Sequence, residues 1–173
     1  MNEKKYNKYL DYMSFEGKKA IKEAIDFLNK AKPMEPFSLE PGMTAAAYYH
    51  GEYMKKLGKL SHDGPKGLKS MTDRMNKFGK YSGYAAENCD IGVPDEGKRC
   101  SGLYAVFRYV IDDGVPSRGH RENCFSPNTT KIGIGIVLDK ANKRNFTVFD
   151  FAGSYTNDDS TLTKKVLEEV GYS

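Results

Sequence analysis

The sequence predicts an α+β domain in which a small antiparallel sheet is covered by helices, and three observations lead there. Apolar residues recur at helical spacing over four separate stretches before residue 112. Two alternating apolar runs follow late in the chain, joined by the polar loop DKANKRN. No regular strand and helix alternation, internal repeat or long linker interrupts that order.

The first helix is expected from Lys18 to Lys32, where Ile21, Ala24, Ile25 and Leu28 share a face and Pro33 ends the run. A turn-rich link, PMEPFSLEPG, leads to a second helix with Met43, Ala46, Ala47, His50, Met54 and Leu57 on one stripe, closing near Gly58. His50 reads as a packed core histidine with a satisfied ring nitrogen. A third, short helix carries Leu68, Met71, Met75 and Phe78. Residues Gly79 to Gly102 show no sustained period and read as an irregular connection. The fourth helix has Leu103, Val106, Phe107, Val110 and Ile111 on its face and stops at Gly114 and Pro116.

In the hairpin, Ile132, Ile134, Ile136 and Leu138 alternate with Gly133, Gly135 and Val137, and the glycines let a helix or ligand approach the strand backbone closely. A last short helix is expected from Leu162 to Val170. The chain is read as an N-terminal extension (1–20), one domain (21–157), whose bounds follow from the family resemblance given below, and a C-terminal tail (158–173).

A chain of 173 residues fits one domain that buries roughly 70% of its unfolded surface. The 39% hydrophobic and 29% charged shares are those of a globular chain and exclude a disordered one. The net charge of +4 is spread along the chain, so nucleic acid is not implied. No stretch approaches the roughly 18 apolar residues that span a bilayer. The start MNEKKYNKYLDY has charge but no apolar core of a signal peptide, which leaves an intracellular protein or an exported form with its signal removed. Cys89, Cys100 and Cys124 form no CxxC pair; a Cys89–Cys100 disulfide and three reduced thiols are both open.

The residues with chemistry are dispersed. His62 sits in LSHDG on a turn after the second helix, Glu87 in AAENC on the irregular connection, and His120 in SRGHREN after the fourth helix. Two imidazoles and a carboxylate are the ligand set of an open divalent zinc site, but HExxH is absent and unrelated surface groups fit these spacings equally. A Ser61–His62 or Cys124–His120 nucleophile pair lacks an orienting group and an oxyanion hole. Asn128 and Asn145 open N-x-T sequons.

The segments PGMTAAAYYHGEYMKKLGKLSHDG, GYAAENC and IDDGVPSRGHRENCFSPNTTKIGIGI, in this order, resemble the CAP superfamily, also called the SCP domain. Its members include cysteine-rich secretory proteins, antigen-five allergens and plant pathogenesis-related proteins. Lacking a cysteine-rich tail, this chain is most similar to the short bacterial or protist members.

The resemblance, running from about Ile21 to Tyr155, implies a three-layer α/β/α sandwich with a central cleft that binds a divalent cation such as zinc. It implies His62, Glu87 and His120 as cleft residues, with Asp112, next to Asp113, where animal members carry a glutamate. It also implies an extracellular or cell-surface protein whose signal or anchor has been removed. The function it implies is a ligand-binding module rather than an enzyme, with an unidentified ligand in the cleft and a lipid or sterol in a separate groove, or a host-interaction role. The alternative is a metal-dependent hydrolase or protease with Glu87 as general base.

Overall fold

A computed structural model describes residues 15–92, 102–158, 160–169 and 171. The helices are α1 (Lys18–Lys30), α2 (Pro41–Leu57), α3 (Met71–Lys77), α4 (Gly102–Ile111), α5 (Gly119–Cys124) and α6 (Thr161–Glu169). The strands are β1 (Ser38–Leu39), β2 (Gly79–Gly92), β3 (Lys131–Asp139) and β4 (Arg144–Asn157), in the sheet order β1-β3-β4-β2.

The expected hairpin forms, with β3 and β4 antiparallel from Lys131↔Ala152 to Asp139↔Arg144. On one face α2 crosses directly over Gly133 and Gly135: a Cβ added there would lie 2.2 Å from the Met43 carbonyl carbon and 2.4 Å from that of Ala47. That close approach seals a core of Ala47, Met54, Val137, Phe146 and Val148, where each large side chain contributes about 1.5 to 3 kcal/mol. Alongside α2 lie α3 and α6. On the opposite face Ala105 and Tyr109 of α4 pack on Ile132, Phe149 and Phe151, with α1 outside them against α4. Helices on both faces of one sheet give the three-layer sandwich.

Three elements depart from expectation. Gly79–Gly92 is not an irregular connection but a 14-residue strand, paired antiparallel with β4 from Gly79↔Asn157 to Gly92↔Asn145. Its alternation is hidden because a register shift between Ser82 and Ala85, with Gly83 at φ 78°, breaks the period. Its core-facing positions also include Glu87. The turn-rich link contains β1, which pairs parallel to β3 through Ser38↔Lys131 and makes the sheet mixed. His120, expected outside regular structure, lies in the six-residue α5.

Among the described residues, Cys89 is a buried free thiol and Cys124 a half-buried one. Cys100 lies outside the described residues. Asn145 is fully buried and donates to Thr147 Oγ1 at 2.9 Å, which leaves Asn128 as the accessible sequon.

Candidate functional site

The first half of the site grows from the end of α2. Gly58 adopts φ 75° and its N–H caps the Met54 carbonyl at 2.8 Å, turning the chain out of the helix toward His62. The His62 side chain is 61% exposed, yet its Nδ1 lies 2.8 Å from Glu87 Oε1 on β2. Behind it, Glu87 Oε2 pairs with the guanidinium of Arg74, a side chain with no exposure at all. Arg74 also donates Nη1 to the carbonyls of Lys69 (2.8 Å) and His62 (3.3 Å), so one buried cation anchors both the carboxylate and the histidine loop. A capping box at the start of α3, Ser70 Oγ accepting from Asp73 N at 3.1 Å and Asp73 Oδ2 from Ser70 N at 3.0 Å, sets where Arg74 turns inward.

Burial pushes the Glu87 carboxyl up, but the His62 hydrogen bond and the Arg74 charge outweigh it, and its pKa is lowered overall. The same hydrogen bond raises the pKa of His62. An ionised carboxylate can only accept, so Nδ1 of His62 carries the hydrogen and Nε2 is the exposed lone pair.

The second half is built on the loop between α4 and α5. Asp112 is buried, with φ 54°, a backbone state that costs a non-glycine residue on the order of 1 kcal/mol. Its Oδ1 lies 2.6 Å from His120 Nδ1, and its Oδ2 accepts from the backbone N–H of His120 (2.9 Å) and of Arg121 (3.3 Å). The Tyr109 ring lies under the imidazole, centroids 5.3 Å apart. Asp113 turns away, accepting from the N–H groups of Phe15 and Glu16. Asp112, and not Asp113, is therefore the carboxylate on His120.

Consecutive residues of β2 contact the two pairs. Strand side chains alternate faces. Glu87 faces α2 and α3, while Asn88 faces α5, donating Nδ2 to the His120 carbonyl at 3.0 Å and accepting from Asn123 at 2.8 Å. β2 is an edge strand among the described residues, so the pairs His62–Glu87 and His120–Asp112 are tethered on either side of one strand.

Residues 6–151 match the family model described as the cysteine-rich secretory protein family, CAP. The chain belongs to that family. Over 121 residues it is 26% identical to the uncharacterized protein YkwD of Bacillus subtilis (strain 168), covering 69% of this CAP chain and 42% of that relative. The chain thus spans less than half the length of the curated relative it matches. An extracellular protein containing a SCP domain from Bacillus anthracis superposes with a TM-score of 0.51 at 24% identity, over 74% of this chain and 36% of that one. An outer surface protein of Borrelia burgdorferi superposes at 0.53 and 16% identity, over 81% of this chain and 96% of that one. These structural likenesses carry the fold. No described helix is long and apolar enough to cross a membrane.

Beneath the His62–Glu87 pair lies a cluster that sequence reasoning missed. His50, Glu87 and Cys89 place ligand-type atoms within 4.8 Å of one another and could hold a metal ion. They form the single such group of three among the described residues, and His62, Asp112 and His120 are outside it. His50 is a core histidine, as expected: it is fully buried, its Nε2 lies 2.8 Å from the Ser61 carbonyl, and burial lowers its pKa. Its Nδ1, however, has no hydrogen-bond partner among the described residues. Across the sheet from Glu87 is Asp150, fully buried, with neither oxygen hydrogen-bonded among the described residues. Burial, and then the Glu87 charge, raise its pKa well above the carboxylate range, so Asp150 is protonated.

The missed residues did leave a signal. Arg74 falls on the α3 stripe of Met71, Met75 and Phe78, and Asp150 on the core-facing row of Phe146, Val148 and Ala152. A charged residue on an apolar stripe must be paired or neutralised.

In this CAP chain Glu87 and Asp112 have both carboxylate oxygens hydrogen-bonded or ion-paired. On the two paired rings, Nε2 of His62 and Nε2 of His120 make no hydrogen bond among the described residues. Of the two nucleophile pairs considered from the sequence, burial pushes the Cys124 thiol up to about 12, and the Ser61 hydroxyl is donated to the Asp63 carbonyl at 2.9 Å.

Proposed function

We propose that the domain is an exported cation-binding module in which His62 and His120 present Nε2 to a divalent cation such as zinc, with Glu87 and Asp112 orienting the two rings. The observation that supports this most directly is the carboxylate at each Nδ1, 2.8 Å from His62 and 2.6 Å from His120. Metal-ligating histidines nearly always donate the other ring N–H to a carboxylate, a backbone carbonyl or water, which fixes the tautomer and raises the basicity of the ligating nitrogen.

With both carboxylates committed, two imidazoles and water fill the coordination sphere, which describes an exchangeable site rather than a closed structural one. The same commitment argues against Glu87 as a general base, since using it would break its bonds to His62 and Arg74. The extracellular and outer-surface descriptions of the structural relatives support export.

Calorimetric titration with zinc tests this reading. Wild type is expected to bind one ion, and His62→Ala combined with His120→Ala to abolish binding. Unchanged binding in the double variant would sink the assignment and point to the buried His50, Glu87 and Cys89 group.

A further inference from the structure

The loop from Asp112 to His120 is held by residues about a hundred positions away in sequence. Arg118, at φ 55°, is the second non-glycine residue of this short loop in the left-handed region, after Asp112. Its side chain is 11% exposed, and every nitrogen donates. Nε bonds Glu23 Oε1 (3.0 Å), and Nη2 bonds Glu16 Oε2 (2.7 Å) and Glu23 Oε2 (2.8 Å). Nη1 bonds Glu16 Oε1 (2.6 Å) and the carbonyls of Asp112 (2.7 Å) and Val115 (3.0 Å).

Further contacts repeat the connection. Glu16 Oε1 accepts from Gly114 N at 3.0 Å, and the Phe15 and Glu16 N–H groups donate to Asp113 at 2.9 and 2.8 Å. Glu23 also receives Arg121 Nη1 at 2.8 Å, whose remaining donors hold the Val110 and Ile111 carbonyls at the end of α4. The Arg118 hydrogen bonds, foremost, hold the Glu16 and Glu23 carboxyls at about 2, so both are ionised at neutral pH.

A backbone in this conformation at two non-glycine positions persists where its surroundings over-determine it. Here the surroundings are two carboxylates from the chain's N-terminal part, in charge-assisted and partly bidentate contact with one guanidinium. Arg118 passes that restraint to the Asp112 carbonyl, and the Asp112 carboxylate sets both the backbone and the ring of His120.

We propose that Glu16 and Glu23 are positioning residues for the His120 half of the site, the segment from Phe15 to Glu23 acting as a strap that keeps the Asp112–His120 loop in its ligand-presenting form. The functional unit then begins before residue 21. The proposal rests on His120 being a ligand for its consequence on metal binding, but not for its consequence on the ring.

The test uses the full chain with ¹⁵N-labelled imidazoles, whose shifts report tautomer and hydrogen bonding. Three histidines make assignment simple, and His50 and His62 serve as internal controls. In Glu16→Gln with Glu23→Gln, the His120 signals are expected to leave the position set by the Asp112 bond while those of His50 and His62 stay in place. Zinc affinity should fall roughly 10- to 100-fold, the range for loss of an outer-shell partner. Glu16→Gln alone is the milder variant should the double one unfold. Unmoved His120 signals in a folded variant would overturn the proposal, and so would equal movement of all three histidines, which marks general loosening. If wild type binds no zinc, the cation reading fails, while the ring shifts still decide the strap.

Discussion

The two histidine–carboxylate pairs have the same local chemistry and opposite foundations. His62 is an exposed ring on a loop, but its carboxylate stands on the sheet with a wholly buried arginine behind it. His120 is less exposed, at 24% of its side chain, but its carboxylate stands on a loop with two left-handed residues held by ion pairs nearer the surface. One pair is anchored by the core, the other by the periphery. The core-anchored pair should fail only when the fold fails, whereas the loop-anchored pair can be altered with the fold intact.

The largest effect that would break this contrast is at Arg74. Arg74→Met leaves Glu87 in the interior without its guanidinium and removes the donors to the Lys69 and His62 carbonyls. Removing one partner of a buried ion pair costs about 3 to 5 kcal/mol, and urea unfolding should show a loss of that size. Adding Glu87→Gln should recover part of it, because the uncompensated charge goes. A loss below about 1 kcal/mol would mean that the first pair is not core-anchored.

The next effect is at Asp112, where the expected signature is functional before it is structural. Asp112→Asn tolerates the left-handed backbone and keeps one acceptor oxygen, so stability should fall by only about 1 to 3 kcal/mol. The amide can donate to Nδ1 of His120 and so favour the tautomer with hydrogen on Nε2, as the equivalent change in a serine protease triad disables its histidine. Zinc affinity should drop roughly 10- to 100-fold, measured by calorimetry on a protein whose melting shows it folded. Affinity equal to wild type would show that His120 is not a ligand or that Asp112 does not orient it.

The same contrast explains what was legible in the sequence. Helices α1 to α4 were visible as apolar recurrences, but in α1 and α4 the expected stripe is not the buried one: Ile25, Leu28, Leu103 and Val106 are exposed, while Ala20, Ala24, Ala105 and Tyr109 are buried. The hairpin was visible because Gly133, Gly135 and Val137 alternate with Ile132, Ile134 and Ile136. The family motifs pointed to His62, Glu87, Asp112 and His120; composition and spacing alone could not tell His62, Glu87 and His120 from unrelated surface groups and gave no sign of Asp112. β2 was not legible, since its pairing with β4 is long-range and its bulge and inward Glu87 erase the alternation that marks a strand. Neither was Arg74, whose stripe position could be noticed but whose partner on β2 could not. The Glu16 and Glu23 contacts with Arg118 span about a hundred residues, and no local pattern in a sequence encodes a contact of that separation.

The smallest expected effect is the pH dependence of the first pair, and it opposes the pH dependence of metal binding. His62 has a raised pKa in the fold, above its ordinary 6.5, so its contribution to stability is complete below 6.5 and is lost as pH rises through the raised value. Glu87 has a lowered pKa, below its ordinary 4.5, so its contribution is complete above 4.5 and is lost as pH falls through the lowered value. The pair therefore stabilises most between about 4.5 and 6.5, and because solvent screens a ring 61% exposed the His62 share should stay under about 1 kcal/mol. Urea midpoints for wild type and His62→Gln should differ most in that window and converge above it. Zinc requires the neutral ring, so its affinity should already decline on acidification at pH values above 6.5, where the imidazole takes up its proton. A midpoint difference that is flat from pH 5 to 8 would remove the ion pair from the argument. With the Arg74 result unchanged, Glu87 would then belong to the core and His62 to the solvent, and the His120–Asp112 pair would be the one anchored histidine–carboxylate pair among the described residues.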